Sequence, residues 1–506
     1  MEQTKPTKRK NGRETAKNVV LSFQHMFAML GATILVPILA GMSISIALLA
    51  AGIGTIIFYF LTKKKVPVFL GSSFAFLPGL CTILDKKNLG SPEWNQAMAC
   101  VMIALVCAGL VYVILSVVIK SVGVEKIKKL FPPIVVGPVV ILVGMILAPK
   151  MFWNNIFGNY LEIGFYGGGE GWKQWTAAIV TALTIIGFNA FAKPKSFLKV
   201  IPILLGFVVG YVYSACIGLV SFKGQFSGDI VIFQQAGEIW GFWGKEGLGN
   251  IDGSQLVSAI LMLVPLANVT FMEHLGDINA NSTVCGKDFM KDPGLHRTVL
   301  GDGVATIASA LLGGPANTTY GENTAVLAIT KNYNPKNIFW AACMAVVAGL
   351  FVPFGEFLAT IPSAVIGGAS IVLFGMISAS GLRALVDAKV DFSNSKNMIV
   401  VSTTLAIGLG LGAMSLAGDI TGESGLKIMI GQVELSPLAI ATVVAIVLNL
   451  IIPNTKEDKS EDSIISLTSS GAVDISQELS SEKDGEAAES ECDATATEAP
   501  ENEKTE

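Results

Sequence analysis

Long apolar stretches alternate with short polar ones along most of the chain. Fourteen such stretches can be delimited, and several are shorter than the ~20 residues that a straight membrane-spanning helix needs. They cover residues 19–39, 46–62, 68–84, 97–119, 134–148, 175–192, 200–220, 256–271, 299–312, 318–329, 338–358, 365–382, 398–416 and 435–452. The pattern predicts an all-α polytopic membrane protein with fourteen transmembrane segments.

Basic residues fall on one side of these segments. The lysines and arginines within residues 1–17 indicate a cytoplasmic N-terminus, and every later basic loop then also lies on the cytoplasmic side. Loops 151–174 and 221–255, rich in glycine and aromatic residues, fall outside. We therefore predict a multi-pass protein of the cell (cytoplasmic) membrane with both termini cytoplasmic.

The fourteen segments divide into two groups of seven, which predicts two similar halves of opposite orientation. A trace of the repeat survives, because Pro132 and Gly137 of the fifth segment match Pro362 and Gly367 of the twelfth at one constant offset. The predicted parts are a basic N-terminus at 1–17, a first repeat at 18–222, an extracellular loop at 223–254, a second repeat at 255–452 and a tail at 453–506.

The third segment of each half is interrupted by glycine, proline and polar residues. These interruptions lie at residues 69–79 and 317–323, and neither favours a continuous helix. Broken segments at corresponding positions of two halves are the best sequence indication of a transporter's binding site. Non-helical backbone at membrane depth is tolerated only in a protein interior or beside a cavity, so both segments should line the site.

Two carboxyl side chains lie beside these interruptions. Glu273 follows the apolar run of the eighth segment, and Glu322 lies inside the broken tenth segment. A charged residue in the membrane costs about 2.5 kcal/mol or more, so each carboxyl is a candidate functional group. A carboxyl that binds and releases a proton near neutral pH would permit proton coupling. His25, in the middle of the first segment, is interpreted as an interhelical hydrogen-bonding residue and as a further candidate for proton coupling.

Composition supports the membrane class. Of the 506 residues, 52% are hydrophobic and 15% are charged. The net charge of −4 hides an asymmetry, because the chain from Pro453 onward carries 16 acidic residues and 4 lysines. This low-aromatic tail is predicted to be disordered.

Other classes of site are not indicated. The seven cysteines contain no CxxC pair and predict neither a disulfide framework nor a metal site. Because the chain has no phosphate-binding loop, metal-ligand cluster or nucleophile triad, an enzyme is disfavoured. We expect no cofactor and no nucleic-acid partner.

Five short motifs resemble the nucleobase/ascorbate transporter family, and specifically its uracil permease branch. The similarity covers residues 18–452, with the motifs in the family's order and spacing. The motifs are Phe23-Gln24-His25 with Phe27-Ala28-Met29, Gly71-Ser72-Ser73-Phe74-Ala75-Phe76, Glu273-His274-x-Gly276, Asp292-Pro293-Gly294-Leu295-His296-Arg297 and Asn317-Thr318-Thr319-Tyr320-Gly321-Glu322-Asn323.

The resemblance implies a seven-plus-seven inverted repeat divided into a core domain and a gate domain. Segments 3 and 10 would begin as short antiparallel strands, with uracil between them and the eighth helix. It further implies proton symport, movement of core against gate, a surrounding of membrane lipid and, in many relatives, a homodimer. The candidate substrate contacts are Glu273 and Glu322 by their carboxylates, Phe74 and Gly321 by their backbone, and Ala32, Tyr320 and Ser73 as lining residues.

One position departs from the uracil branch. The motif there ends in histidine, whereas this chain has Asp277, which is more similar to the xanthine and urate branch. Asp277 is therefore a candidate for proton coupling beside Glu273, and a purine permease stays open as an alternative. An anion exchanger of the same architecture is the second alternative, which two acidic side chains at the site disfavour.

Overall fold

The computed structural model describes residues 12–84, 87–123, 132–157, 171–193, 196–220, 226–421, 429–430 and 433–453. The predictions for most of the basic N-terminus and for the acidic tail lie outside these residues. The helices are α1 (Gly12–Ala40), α2 (Ile44–Leu61), α3 (Leu77–Leu84), α4 (Pro92–Val122), α5 (Pro133–Phe152), α6 (Gly171–Phe191), α7 (Pro202–Cys216), α8 (Ala236–Ile239), α9 (Gly253–Leu263), α10 (Leu266–Cys285), α11 (Leu295–Leu312), α12 (Gly321–Thr330), α13 (Pro335–Leu350), α14 (Val352–Ala359), α15 (Ser363–Asp387), α16 (Ser395–Thr421) and α17 (Pro437–Ile451). The strands are β1 (Leu70–Ser72), β2 (Asn317–Thr319), β3 (Met429–Ile430) and β4 (Val433–Glu434).

Each predicted apolar segment coincides with a helix, with two consecutive helices or with a strand followed by a helix. Among the described residues, eight helices are long and apolar enough to cross a membrane, and four shorter apolar helices accompany them. The chain is therefore a multi-pass membrane protein, while the number of fourteen crossings stays a prediction.

Several features differ from the sequence interpretation. Helix α1 begins at Gly12, inside the segment predicted to be a basic terminus. The predicted eleventh segment is two helices, because Phe351 between them has an extended conformation. The β3–β4 hairpin was not predicted at all.

The eighth segment is longer than its apolar run and bends once. Pro265 separates α9 from α10, and α10 continues to Cys285, fourteen residues beyond the predicted end at residue 271. Gly286 ends it in the left-handed region at φ 62°, with its N–H donating to the carbonyl groups of Ser282 and Thr283. Glu273 therefore lies within helix α10 and not at the end of the eighth segment.

The helices pack in two groups. In the first group, α4 packs on α9 and α11, α2 packs on α11 and α13, and α1 packs on α13. In the second group, α5 packs on α15, α16 and α17, α6 packs on α7 and α15, and α7 packs on α15. Fewer contacts join the groups, mainly through α1 with α7, α9 with β4 and α10 with α5.

The packing pattern is unchanged when the two halves of the chain are exchanged. The α4–α11 crossing corresponds to α13–α2, the α4–α9 crossing to α13–α1, and the α6–α7 crossing to α16–α17. The backbones of α2 and α13 approach closely at Gly349, where a Cβ would lie 2.5 Å from the Leu49 nitrogen. Those of α4 and α11 approach closely at Gly303, where a Cβ would lie 2.9 Å from the Gly109 oxygen. Small residues at such crossings allow helix backbones to approach in a membrane.

The crossing of α5 and α15 provides a direct test of this packing. A Cβ on Gly144 would lie 2.2 Å from the Phe374 carbonyl oxygen and 2.2 Å from the Ser378 hydroxyl oxygen. Because one of these atoms is backbone, Gly144→Ala should destabilise the folded protein by about 1 to 3 kcal/mol. We expect a lower melting temperature in detergent, whereas Gly187→Ala, which meets no atom within 4 Å, should not lower it. Equal melting temperatures for the two variants would contradict the packing.

Tryptophan side chains of the loop that precedes α9 hydrogen-bond to the turn before β2. Gly313 takes the left-handed conformation at φ 83° and ends α11. The indole N–H of Trp240 donates to the Leu312 carbonyl oxygen at 2.8 Å, and that of Trp243 donates to the Leu311 carbonyl oxygen at 3.2 Å. These bonds satisfy carbonyl groups that the end of a helix leaves without partners. The start of β2 is thereby fixed relative to α11.

Candidate functional site

The two interrupted segments meet as a short antiparallel strand pair. Leu70 pairs with Thr319, Gly71 with Thr318 and Ser72 with Asn317. Two further backbone bonds extend the ladder: the Ser73 N–H donates to the Ala316 oxygen at 2.8 Å, and the Tyr320 N–H donates to the Phe69 oxygen at 3.0 Å. The expected antiparallel pair is thus present, and each segment satisfies the other's backbone.

Neighbouring helices supply polar partners at the outer edges of this pair. The Leu70 N–H donates to the Thr55 hydroxyl oxygen at 2.9 Å. On the other strand, the Thr306 hydroxyl donates to the Asn317 oxygen at 2.9 Å, and the Asn317 amide donates to the Ala50 oxygen at 3.1 Å. All of these groups are buried. Since no water is available at membrane depth, these partners make the strand pair possible there.

Tyr320 joins the strand pair to α1. Its hydroxyl donates to the Ser72 carbonyl oxygen at 2.9 Å and accepts from the Thr33 hydroxyl at 3.3 Å. The ring lies over Gly71, where a Cβ would come within 2.4 Å of two ring carbons. Gly71 is therefore required by the close approach of the ring, and Tyr320 acts here as a structural support.

Glu273 and Glu322 lie at the end of the strand pair. Glu273 lies on α10, where protein surrounds the residue but a cleft leaves its side chain accessible. Glu322 lies in the first turn of α12 and is half-buried. Helix α12 begins without a side-chain cap, and Gly321 at its first position is exposed. The cleft thus offers carboxylate acceptors beside free N–H groups of a helix N-terminus.

Exposed side chains continue from Glu273 toward the C-terminal ends of α10 and α12. Residues 276, 280 and 283 are exposed along one face of α10, and residues 325 and 328 along one face of α12. In contrast, the start of α10 is buried at five of its first six positions. Glu273 can therefore be reached from the side of the chain that carries Lys287 and Lys331.

Asp277 is fixed to the strand pair. Its Oδ2 accepts a hydrogen bond from the Thr319 hydroxyl at 2.7 Å, and its Oδ1 lies 3.4 Å from the position that a Cβ on Gly321 would take. Asp277 also interacts electrostatically with Glu273 and Glu322. The departure from the uracil motif therefore places a third carboxyl at the start of α12.

The remaining predicted residues lie around this centre at different depths. His25 is fully buried; its backbone carbonyl oxygen accepts from the Asn323 amide at 3.0 Å, and its ring Nδ1 lies 3.3 Å from the same amide nitrogen. Ala32 is also buried, at 1% exposure. Ser73 is buried and its hydroxyl has no hydrogen-bond partner among the described residues, while Phe74 is half-buried. The structure therefore brings the candidates together without testing their roles.

A buried polar group behind Glu273 was not predicted. His274 and Asp302 are both fully buried, and His274 Nδ1 lies 3.2 Å from Asp302 Oδ2. The signal was present in the sequence, because Asp302 is an acidic residue inside the ninth apolar run. The rule that singled out Glu273 applies equally to Asp302.

Among the described residues, no group of three or more His, Cys, Asp or Glu side chains is arranged to hold a metal ion. The six cysteines within them form no disulfide bond with one another. The chemistry of the cleft is therefore that of carboxyl groups, backbone N–H groups and hydroxyls.

Comparison with known sequences identifies relatives over almost the whole chain. A family model named Xan_ur_permease, described as a permease family, matches residues 16–416. The uracil permease of Bacillus caldolyticus is 39% identical over 440 residues, which is 86% of this chain and 92% of the relative. The uracil permease of Bacillus subtilis is 38% identical over 447 residues, covering 88% and 94%. A putative pyrimidine permease, RutG, of Escherichia coli is 33% identical over 414 residues, covering 81% and 87%.

Solved structures with the same fold are more distant in sequence. The transmembrane domain of the cyanobacterial bicarbonate transporter BicA aligns with a TM-score of 0.54 at 14% identity, covering 87% of this chain and 98% of that one. The murine anion transporter Slc26a9 in its inward-facing state aligns with a TM-score of 0.57 at 10% identity, covering 88% and 69%. These likenesses concern the fold alone. The family model and the sequence relatives show that the chain belongs to this permease family and is a multi-pass membrane transporter, not an enzyme.

Proposed function

We propose that this protein is a secondary active transporter that imports uracil together with a proton. The observation that carries the proposal is the pair of carboxyl groups, Glu273 and Glu322, at the open N-terminus of α12. The names of the relatives, uracil permease in two bacilli, support the choice of substrate.

The cleft suits the hydrogen-bonding pattern of uracil. Uracil is a small planar ring whose N–H groups donate and whose carbonyl groups accept. Glu273 and Glu322 would accept the ring N–H groups, while backbone at Gly321 and Phe74 would contact the base. Ser73, Tyr320 and Ala32 would support this wall. Charge-assisted hydrogen bonds of this kind are roughly twice as strong as neutral ones, which favours carboxylates over amides as acceptors.

Protonation would couple this site to the proton gradient. Three carboxyl groups lie at this site: Glu273 and Asp277 on α10, and Glu322 in the first turn of α12. Protonation of Glu273, with Asp277 as relay and His25 as a further candidate, would favour the loaded state. Loss of the proton to the cytoplasm would favour release.

Alternating access would follow from movement of one helix group against the other. We assign α1–α4 and α9–α14 to a core domain and α5–α7 and α15–α17 to a gate domain, in an inverted repeat of seven plus seven segments. The symmetric packing and the sparse contacts between the groups support this division. With the predicted topology, the exposed ends of α10 and α12 would face the cytoplasm, as expected of an inward-open state.

The setting of the protein completes the proposal. It includes the domain boundaries predicted from the sequence, fourteen crossings and cytoplasmic termini. It also includes a location in the cell membrane, surrounded by lipid, and a homodimer. Labelling of single cysteines placed at residues 63 and 245 from either side of the membrane tests the topology. Residue 63 should react from the cytoplasm and residue 245 from outside.

A purine such as xanthine is the second candidate. The observation that favours it is Asp277, whose carboxyl lies at the start of α12 as a third acceptor. An anion exchanger is disfavoured, because carboxylates beside the site repel an anion. The likeness to anion transporters is one of fold and adds nothing to that alternative.

Binding measurements on purified protein test the substrate and the coupling together. We expect calorimetry in detergent to show uracil binding that is tighter than xanthine binding. If loading takes up one proton, the uracil dissociation constant should rise by up to about tenfold per pH unit above the range where the site is protonated. Xanthine binding without uracil binding would contradict the substrate assignment. Uracil binding that is independent of pH would contradict proton symport while leaving the substrate assignment intact.

A further inference from the structure

One face of the protein collects the ends of several helices. Arg297, in the first turn of α11, donates from Nη1 to the carbonyl oxygen of the last residue of α2 at 3.3 Å. Near the end of α4, the Ser116 hydroxyl donates to the His296 carbonyl oxygen at 2.5 Å. The start of α13 joins them, because the ring centroids of Tyr59 and Phe339 lie 5.1 Å apart. The ends of α2 and α4 therefore meet the starts of α11 and α13 here, with the turns that lead in from α10 and α12.

The described residues at this face are strongly basic. Nine lysine and arginine side chains lie at these helix ends and in the turns between them, against two aspartates. Asp292 is paired with Lys65 Nζ at 2.6 Å. Asp288 is paired with Lys291 Nζ at 3.3 Å. We call the seven cations outside these two pairs the basic rim: Lys63, Lys64, Lys120, Lys287, Arg297, Lys331 and Lys336.

His296 responds to the positive charge of the rim. It precedes the ninth predicted segment and is half-buried. Burial lowers the pKa of its imidazole, and the nearby charges of Arg297, Lys120 and Lys63 lower this pKa further. Three rim cations from three different helix ends thus act on one side chain. Because like charges that converge in this way repel one another, an anionic segment bound among them would be stabilised.

Two members of the rim lie where the exposed faces of α10 and α12 end. Lys331 is the C-terminal cap of α12, and Lys287 lies two positions after the last residue of α10. Exposed positions 280 on α10 and 328 on α12 lie along the helices between these lysines and Glu273. An anionic segment held by the rim would therefore cover the exposed surface that leads to Glu273.

The chain from Pro453 onward carries the opposite charge. Its 16 acidic residues and 4 lysines give a net charge of −12, and ten of the acidic residues fall within residues 482–506. This tail also starts on the side of the rim. The hairpin strand β4, just before α17, contacts α9, the half of the eighth segment that is remote from Lys287. Helix α17 runs away from that contact and ends at Ile451.

We propose that the acidic tail, residues 453–506, binds the basic rim of its own molecule and covers the surface that leads to Glu273. A segment of 54 residues can extend to about 180 Å, so its length does not limit which part of the rim it reaches. Pairs of exposed charges are individually weak, but attachment to the same chain gives the tail a high effective concentration at the rim. Docking of the tail does not depend on which substrate the cleft binds.

Carbodiimide cross-linking of the full-length protein in a neutral detergent tests the contact. The reagent joins a carboxyl group to an amine that touches it. We expect bonds between tail carboxyl groups and the rim lysines Lys63, Lys287 and Lys331 at ~0.1 M salt. They should disappear at ~1 M salt, where the screening length falls from about 10 Å to about 3 Å. Lys245, which is exposed in the loop on the opposite face, is the internal control and should not be joined to the tail.

Labelling of a cysteine on α10 tests the coverage. Ala280→Cys, in a chain that also carries Cys216→Ser and Cys492→Ser, is treated with a water-soluble maleimide. The comparison is a neutral-tail variant of equal length, in which the ten acidic residues within 482–506 become glutamine or asparagine. We expect labelling of the neutral-tail variant to be about threefold faster, which corresponds to coverage for about two thirds of the time.

Two further variants separate coverage from a general change in reactivity. Lys287→Gln with Lys331→Gln removes the two rim charges nearest the exposed surface of α10, so it should accelerate labelling at residue 280 as the neutral tail does. Lys245→Cys should react at the same rate with either tail. Equal labelling rates at residue 280 in the parent chain, the neutral-tail variant and the rim variant would overturn the inference.

The remaining outcomes identify other occupants of the rim. Cross-links that occur only in covalent dimers would assign the tail to a second molecule and contradict docking within one chain. Protection of residue 280 that requires phosphatidylglycerol in the micelle, whatever the charge of the tail, would assign the rim to anionic lipid and contradict it as well. None of these measurements uses uracil, so failure of the proposed uracil transport and failure of tail docking are detected separately.

Discussion

Glu273→Gln is expected to abolish the accumulation of uracil under an imposed pH gradient. Glutamine keeps the size of the side chain and one carbonyl acceptor, but it cannot bind or release a proton. Uracil binding should be largely retained and should depend less on pH, because glutamine resembles the uncharged, protonated carboxyl that the loaded state is proposed to hold. Uptake of labelled uracil into proteoliposomes with an acidic outside provides the measurement.

The matched control for this variant is Glu93→Gln. Glu93 lies in the first turn of α4 and is exposed, so the same change there should leave uptake and binding near wild type. A Glu273→Gln protein that still concentrates uracil under the pH gradient would remove Glu273 from the coupling mechanism. Loss of binding in both variants would indicate damage that is unrelated to the site.

Local sequence pattern was sufficient to predict that the two interrupted segments lie together. Gly71 and the glycine and polar residues around 317–323 interrupt two apolar runs at corresponding places, and the structure pairs those runs as β1 and β2. Non-helical backbone in a membrane must find its hydrogen-bond partners within the protein. Two interrupted segments at corresponding places can supply these partners to each other. The position of Glu273 followed from the cost of a charge in an apolar run.

The partners of these residues could not be obtained in the same way. Thr55, Thr306 and Tyr320 bond the strand pair across sequence separations that no local pattern encodes. Isolated threonines in apolar helices usually bond their own backbone one turn earlier, as Thr181 and Thr442 do. The pattern of a single helix therefore gives no indication of which threonine has a distant partner.

The extent of α10 shows a different limit of the sequence. Hydropathy ended the eighth segment at residue 271, yet the helix continues through Asn281 to Cys285. Asn281 is fully buried, and its amide donates to the Pro67 carbonyl oxygen and to the Thr324 hydroxyl, both at 3.2 Å. A buried polar residue whose hydrogen bonds are made within the protein has the same low hydropathy as a loop residue. The same ambiguity explains why Asp302 was not recognised.

Gly71→Ala is expected to disrupt the strand pair and with it substrate binding. The new methyl group would lie 2.4 Å from two carbons of the Tyr320 ring and 2.8 Å from the Thr33 hydroxyl oxygen. The ring cannot move away without breaking the bond from its hydroxyl to the Ser72 carbonyl oxygen at 2.9 Å. Overpacking of this kind costs about 1 to 3 kcal/mol, and the freed backbone groups add to it. Both the melting temperature and uracil binding in detergent should fall.

Gly375→Ala serves as the control for this prediction, since no atom lies within 4 Å of the position of its new methyl group. A double variant identifies the cause, because Tyr320→Ala removes the ring that the Gly71→Ala methyl group would strike. If the clash is the cause, Gly71→Ala should destabilise the Tyr320→Ala protein less than the wild type, which is a favourable coupling between contacting residues. Additive effects of the two substitutions would contradict the contact. In that case the loss in Gly71→Ala would have to arise within the strand itself, where glycine is conformationally least restricted.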